Sequence, residues 1–329
     1  MVEIVTLKGS PYEIGQQTGR VMREAGVEFY KPREKSISFA LRVKEAVQDL
    51  IPEIIEEING FVEAGNFELE TILSYALTVY RSAGCTVLAI NGEHTSEGRH
   101  LFCRNYDSSP NETFSLYKTY PKAKLSHIGF SSLLIGREDG INEAGLAIAV
   151  TGVPGKYTNK LGLWDHIPVR VVLERCKTVE KAVNLLEEIP HLWAKNFLLC
   201  DKRGKIAIVE ISEQEVIVSY PKSGLGVITN HFQSKVMKRY YDKQSEMYNT
   251  HKRLNNAELW FKDKKRTIGE KEVRKFLSDT EIGVCSNKMA TDPKKSFVTI
   301  WSWFTEVGEK SIRYNTGNPV SGDFQSENF

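Results

Sequence analysis

The dominant hydrophobic period of this chain changes at residue 84, and that change limits the folds open to it. Upstream, after a short opening strand, the pattern is helical. In "SISFALRVKEAVQDLIPEIIEEINGFVEAG", Val43, Val47, Leu50, Ile54, Ile58 and Phe61 recur at three- and four-residue intervals and form one apolar stripe. Pro52 is placed to start a new helix or bend this one, and Gly60 and Gly65 are expected stops. "ELETILSYALTVYRSAG" reads as a further helix running up to Gly84. Downstream, short apolar, β-branched runs dominate: "CTVLAI", "HLFCRN", "AGLAIAVTG", "NFLLC", "KIAIVEI", "EVIVSY", "LGVIT", "SFVTIWSWF" and "SIRYN". "CDKRGKIAIVEISEQEVIVSY" joins alternating runs through polar links, as in hairpins.

Helices interrupt the strands only in places. "PVRVVLERCKTVEKAVNLLEEIP" predicts two short ones, the second capped by Thr178. "FQSKVMKRYYDKQSEMYNTHKRLNNAELWF" predicts one long helix, and "GEKEVRKFLSD" another. Strands and helices do not alternate as they do in a parallel α/β sheet, so antiparallel sheets with helices on their outer faces are expected. No repeat, low-complexity tract or linker divides the chain. Residues 1–84 are therefore read as packing with the rest in one folding unit.

Charge and cysteine usage narrow the function. A net charge of +2 over 329 residues gives no electrostatic case for nucleic acid or an anionic membrane. No apolar stretch is long enough for a membrane span, and the N-terminus "MVEIVTLKGSPYEIG" does not read as a secretion signal. Five widely spaced cysteines (85, 103, 176, 200, 285) argue for reduced thiols and a cytoplasmic setting. P-loop, G-x-G-x-x-G, G-x-S-x-G, C-x-x-C and H-x-x-x-H motifs are all missing, so neither a cofactor nor a metal is expected.

What remains is an ordered set of motifs. "GC" at 84–85 is followed by "CRNYD" at 103–107, "GINEAGLAIAV" at 140–150, "NFLLCDKRGKIAIVE" at 196–210 and "ITNHF" at 228–232. With the opening "LKGSPYEIGQQTGR" and the ending "VTIWSW", this order resembles the penicillin acyltransferase-like family of N-terminal-nucleophile (Ntn) cysteine hydrolases. Choloylglycine hydrolases and acid-ceramidase-type amidases are similar relatives. The resemblance implies an α+β fold, a four-layer αββα sandwich with two antiparallel sheets. It implies scission between Gly84 and Cys85, with 1–84 as a mostly helical small subunit and 85–329 as the core with Cys85 at its new N-terminus.

That resemblance also implies roles. Cys85 would carry both a thiol and an α-amine, and an α-amine titrates at about 7.7–8.0, so one residue supplies nucleophile and base. Arg104 would favour the thiolate, and Asp107 would orient the α-amine. Asn230 would donate to a developing oxyanion. A second donor would be a backbone N–H of Thr86 or of the 151–153 turn, because Gly152 stands where some bile-salt hydrolases carry a polar residue. Asn142 would shape a turn and "TGVPG" at 151–155 would line the pocket. A further arginine often completes such sites; Arg253 is the nearest candidate, with Lys252 and Arg239 as alternatives.

Read without the resemblance, Cys85 is a small buried hydrophobe, Arg104 and Asp107 a surface ion pair, and Asn230 a turn cap. His231, Trp301, Trp303 and the other four cysteines are read as structural. The implied activity is acyl transfer from a small-molecule acyl amide or acyl thioester, through a Cys85 acyl-enzyme, to water or an amine. The alternatives are an uncleaved, idle relative that binds an acylated ligand, and a protein whose chemistry ends with its own cleavage. A homo-oligomer is compatible with the sequence.

Overall fold

A computed structural model describes residues 4–78, 84–133, 135–155, 160–243, 249–264, 266–288 and 297–329. The chain opens with β1 (Ile4–Gly9) and four helices: α1 (Pro11–Glu24), α2 (Glu34–Val47), α3 (Pro52–Gly65) and α4 (Leu69–Thr78). Ser10 caps α1 in a reciprocal capping box with Glu13. Pro52 starts α3, as expected. Gly65 ends that helix, but Gly60 lies inside it. The reason is the crossing with α1: a Cβ on Gly60 would sit 2.1 Å from the Tyr12 carbonyl oxygen, and one on Gly15 1.9 Å from that of Glu57. The helix expected to reach Gly84 ends at Thr78 as α4; its remainder, 79–83, lies outside the described residues.

Then follow β2 (Gly84–Ile90), β3 (Leu101–Ser108), β4 (Ser115–Pro121), β5 (His127–Ser131), β6 (Asp139–Asn142) and β7 (Leu146–Gly152). Helices α5 (His166–Arg175) and α6 (Val179–Glu188) come next, with the Thr178 hydroxyl accepting the Lys181 N–H at the α6 cap. After them come β8 (Lys195–Asp201), β9 (Ile206–Ile211), β10 (Val216–Ser219) and β11 (Leu225–Ile228). The long helix expected over 232–261 is a short 3₁₀ turn at Met237–Tyr240 followed by a separate α7 (Thr250–Lys264). Between them the backbone pairs elsewhere: Tyr241 bridges Gly155, and the Asp242 N–H donates to Pro154 O at 2.9 Å. The chain ends with α8 (Glu270–Leu277), β12 (Asn287–Lys288), β13 (Phe297–Glu306), β14 (Ser311–Thr316) and β15 (Gln325–Asn328).

The strands make two sheets. One runs β1-β4-β5-β6-β7-β8-β9-β10; the other runs β11-β2-β3-β13-β14-β15, with β12 added beside β13. All neighbours are antiparallel except β1 and β4, which are parallel, so the opening strand extends the first sheet. Between the sheets lies one core that includes Cys85, Val87, Phe102, Tyr106, Phe130, Ile141, Leu198, Trp301 and Trp303. Helices α5 and α6 cover the outer face of the first sheet through Val172, Val183 and Leu186. The outer face of the second is covered by α7 and α8 through Ala257, Phe261, Val273 and Phe276. This is the αββα layering, with α2–α4 packed on the far side of α5 through Ile54, Ile58, Ile167 and Val171.

Candidate active site

Three strands of the second sheet bring the candidates into register. Cys85 pairs with Tyr106, Gly84 with Asp107, and Asp107 with Thr299 on β13. Pleating then puts Gly84, Asp107 and Thr299 in one row on one face, while Cys85 turns its side chain into the layer between the sheets. Asn230 follows β11, which pairs with β2 on the other side. Gly84 is required by space: a Cβ there would lie 2.7 Å from the Phe297 ring and 3.2 Å from Asp107 Oδ2.

Every polar atom of Cys85 has a partner. Its backbone N–H donates to Asn230 Oδ1 at 2.9 Å. Its carbonyl accepts from Arg253 Nη1. Its Sγ accepts from Arg104 Nη2 at 3.2 Å. Arg253 also donates to Thr86 Oγ1 at 2.9 Å and to Asn230 Oδ1 at 2.7 Å. Asn230 is held in turn by Thr250 Oγ1, which accepts its backbone N–H at 2.8 Å. Its Nδ2 donates to Gly152 O at 2.9 Å. The amide expected to face an oxyanion thus faces a backbone carbonyl in the continuous chain, because its oxygen is taken by the Cys85 N–H.

Asp107 accepts from Thr299 Oγ1 at 2.6 Å. Burial pushes its carboxyl up from the ordinary 3.8 to about 6, against the pull of Arg253, the Thr299 bond and Arg104. Arg104 pulls the Cys85 thiol toward the thiolate, as expected, but burial acts against it in the continuous chain. Burial pushes the Cys85 thiol up to about 11, and Arg104 only moderates the rise. Arg104 itself does not form the exposed pair with Asp107 that turn geometry allowed. It is 1% exposed and pairs with Asp139 Oδ2 at 2.9 Å.

Arg253 was one of three arginine or lysine choices, and the structure separates them. Lys252 is exposed, and Arg239 pairs with Glu215 at the surface. Asp139, Thr250 and Thr299 carried no sequence signal. Asn142 does shape its turn, accepting the Ala144 and Leu146 N–H groups, and its Nδ2 also donates to Leu173 O and Cys176 O at the end of α5. His231 is bonded to Thr229 and Thr250, and Trp301 and Trp303 are buried in the core. Cys285, read as packing, lines a pocket of about 170 Å³ that also touches Asp107 and Arg253. A cleft of about 690 Å³ adjoins it through Asn287; Phe114, Val298, Ile300 and Val320 line it, and so does Thr299.

Among the described residues, no group of three His, Cys, Asp or Glu side chains is placed to hold a metal ion. No described helix is long and apolar enough to cross a membrane.

Comparison with known proteins bears on the fold and the family. No curated protein matches the sequence. Among solved structures, a cysteine-to-alanine mutant of conjugated bile acid hydrolase from Clostridium perfringens superposes with a TM-score of 0.52 at 17% identity, covering 74% of this chain and 97% of that one. Penicillin V acylase from Agrobacterium tumefaciens superposes with a TM-score of 0.50 at 18% identity, covering 70% and 83%. At such identities the likeness is one of fold, and the fold is that of the Ntn hydrolases. The model of the family described as acyl-coenzyme A:6-aminopenicillanic acid acyl-transferase matches residues 94–321, a span that holds Arg104, Asp107, Asn230 and Arg253 and begins just past Cys85. With more than half of its length matched and this fold around the motifs, the chain belongs to the acyl-coenzyme A:6-aminopenicillanic acid acyl-transferase family.

Proposed function

We propose that this enzyme transfers an acyl group from an amide, or from a thioester, to water or an amine through a Cys85 acyl-enzyme, after cutting its own chain before Cys85. The observation that carries the reading is the convergence on one cysteine: Asn230 on its nitrogen, Arg253 on its carbonyl and Arg104 on its sulfur. A thiol buried only for packing has no need of this. Cys103 is equally buried, its pKa is also pushed up, and no cation opposes the rise.

Scission begins when the Cys85 sulfur attacks the Gly84 carbonyl carbon. The C–S bond forms, the C–N bond to Cys85 breaks, and the proton passes to the released nitrogen. Water then cleaves the thioester, leaving a carboxyl on Gly84 and a free thiol and α-amine on Cys85. Asp107, paired with Gly84 across the strands, would hold that amine. The atom of Asn230 that would donate to a tetrahedral oxyanion is Nδ2, while its Oδ1 stays the acceptor held by Arg253. In turnover the amine takes the thiol proton, the thiolate attacks the substrate carbonyl, and the protonated amine returns a proton to the leaving amine. Residues 1–84 would stay as a separate small subunit, with β1 still paired to β4. The cleft of about 690 Å³ suits an apolar acyl group.

The rival reading, an uncleaved relative that binds an acylated ligand, draws on the thiol held at about 11 and fully buried. Intact mass and denaturing gels separate the two. The proposal expects fragments split at Gly84/Cys85, amine release from a panel of N-acyl amides, and loss of both in Cys85→Ala. Turnover that survives Cys85→Ala removes the nucleophile assignment; a chain that stays whole and inert leaves the ligand-binding reading.

A further inference from the structure

We propose that Asp139 is a positioning residue: it anchors the Arg104 guanidinium from the opposite sheet so that the other guanidinium nitrogen faces the Cys85 sulfur. The inference rests on the reading of Cys85 as the reacting thiol. Asp139 stands at the start of β6 in the first sheet, and Arg104 on β3 in the second, so their bond crosses the core. Neither is solvated; their side chains are 0% and 1% exposed.

Both Asp139 oxygens are committed. Oδ1 accepts the Phe130 backbone N–H at 3.0 Å. Oδ2 accepts Arg104 Nη1 at 2.9 Å and Trp301 Nε1 at 3.2 Å. Arg104 Nη1 also donates to the Glu138 carbonyl, while Nη2 is left for Cys85 Sγ at 3.2 Å. The guanidinium lies near the Tyr106 ring, 5.0 Å from its centroid, and 5.9 Å from that of Trp301. Tyr106 and Trp301 are themselves stacked, with centroids 3.7 Å apart. Because a guanidinium is a rigid plane, fixing one terminal nitrogen fixes the other. Asp139 makes no contact with the thiol and acts through Arg104 alone.

A purely electrostatic role for Asp139 has the opposite sign. Its negative charge offsets the field of Arg104, so deleting that charge with Arg104 in place would help the thiol ionise. The ionisable groups that bear on the thiol are Arg104 and Asp107 from β3 and Arg253 from α7. Glu138 and Asp139 bear on Arg104, and the Tyr106 phenol bonds Glu138.

The test reads the thiol itself, so it stands whether or not amide turnover is found. The full-length chain, Asp139→Asn, Arg104→Gln, the double variant and Trp301→Phe are treated with methyl methanethiosulfonate across about pH 7–9, below the thiol pKa, where a rise of one pKa unit slows reaction about tenfold. Modification is followed by mass on the peptide bearing Cys85, and rates are compared only between molecules whose Gly84–Cys85 bond is in the same state, cut or uncut. Asp139→Asn is expected to slow it about as much as Arg104→Gln, roughly tenfold, with the double variant no slower. Trp301→Phe, which removes one donor to Asp139 and keeps the ring packing, is expected to slow it less and covers the case in which Asp139→Asn does not fold. An unchanged or faster rate in Asp139→Asn, or slowing that multiplies with Arg104→Gln, overturns the proposal. Should the reagent fail to enter, the NMR side-chain signals of Arg104 decide: free guanidinium rotation in Asp139→Asn supports the anchor, and signals as restrained as in the unaltered chain overturn it.

Discussion

Arg104 and Arg170 are both 1% exposed and both paired with buried carboxylates, yet they stand in clusters of different kinds. Around Arg170 the charges answer one another. It bonds Glu57 at 3.1 Å and Glu174 at 2.5 Å; Lys124 bridges Glu174 and Glu53; Arg175 binds Glu53 through two nitrogens. That cluster ties α3 to α5 and to the turn after β4, so it stitches residues 1–84 onto the rest. Glu53 and Glu174 are held below the usual carboxylate range, since their cations outweigh burial. Only Glu57 is raised, where burial outweighs Arg170. Around Cys85 the balance is reversed. Asp107 and Glu138 are pushed up to about 6 and about 7 by burial, and the thiol to about 11. Burial of charge alone therefore does not mark a site. If Cys85 is the reacting residue, the mark is charge aimed at one residue and left electrostatically unrelieved.

The contrast breaks first at Arg170. Arg170→Met leaves Glu57 and Glu174 short of their main cation and should cost about 3–5 kcal/mol of stability. Chemical denaturation measures that loss, and the Cys85 chemistry of the folded fraction should be unchanged. If activity per folded molecule falls with it, the two clusters are not separate. Asn230→Ala is the converse. It removes the partner of the Cys85 nitrogen and the expected oxyanion donor, and should lower the rate of amide turnover by about 10²–10³. The melting midpoint of Asn230→Ala should fall far less than that of Arg170→Met. Single-turnover rates and thermal melts on the two variants give the comparison directly.

The strands around Cys85 were legible because "CTVLAI", "HLFCRN" and "SFVTIWSWF" are short segments built on apolar, aromatic and β-branched residues, free of glycine and proline. β4, β5 and β6 were not. "SLYKTYP" is interrupted by a lysine, "HIGFS" and "DGIN" by glycines, and Gly129 is there because a Cβ would lie 2.0 Å from the Asp139 carbonyl oxygen. Cys85, Arg104, Asp107 and Asn230 were found through the order of their motifs. Asp139 and Thr299 could not be, since they reach Arg104 and Asp107 from 35 and 192 residues away through sheet pairing and packing. The opposing effect was not legible for a related reason: a neighbouring arginine can be read from spacing, but the depth of burial that offsets its pull on the thiol cannot.

Asp107 sharpens the contrast through pH. Its folded carboxyl titrates near 6 against an ordinary 3.8, so the folded state holds its proton more tightly. A raised carboxyl contributes stability that is complete below its unfolded value and is lost as pH climbs through its folded one. At pH 7 the ionised Asp107 therefore costs ~3 kcal/mol relative to a neutral side chain. Asp107→Asn, made in the Cys85→Ala background to keep the chain whole, should be more stable by about that amount at neutral pH. The gain should shrink through pH 6 and vanish near pH 4, as urea midpoints at several pH values would show. The same change in the active chain should slow scission. Glu53 and Glu174 run the other way: their contribution is present above the unfolded carboxylate range and is lost on acidification.

The smallest effect is expected at the edge of the Arg170 cluster. The Lys124 side chain is 22% exposed and bonds Glu53 at 2.7 Å and Glu174 at 3.0 Å, which on paper makes it as central as Arg170. Two things reduce its weight. Water reaches the ammonium, so its charge is partly screened and cheaply hydrated when the pair opens. Each carboxylate also keeps another cation: Arg175 holds Glu53 at 2.8 and 2.6 Å, and Arg170 holds Glu174. Lys124→Met should therefore cost no more than about 1 kcal/mol, with its aliphatic stem replaced by one of similar bulk. Raised salt should reduce the difference further, because the exposed end of the pair is the part that ions screen. If Lys124→Met instead costs as much as Arg170→Met, the cluster behaves as one cooperative unit. The line between self-satisfied charge here and unrelieved charge at Cys85 would then need to be drawn by coupling energy and not by burial.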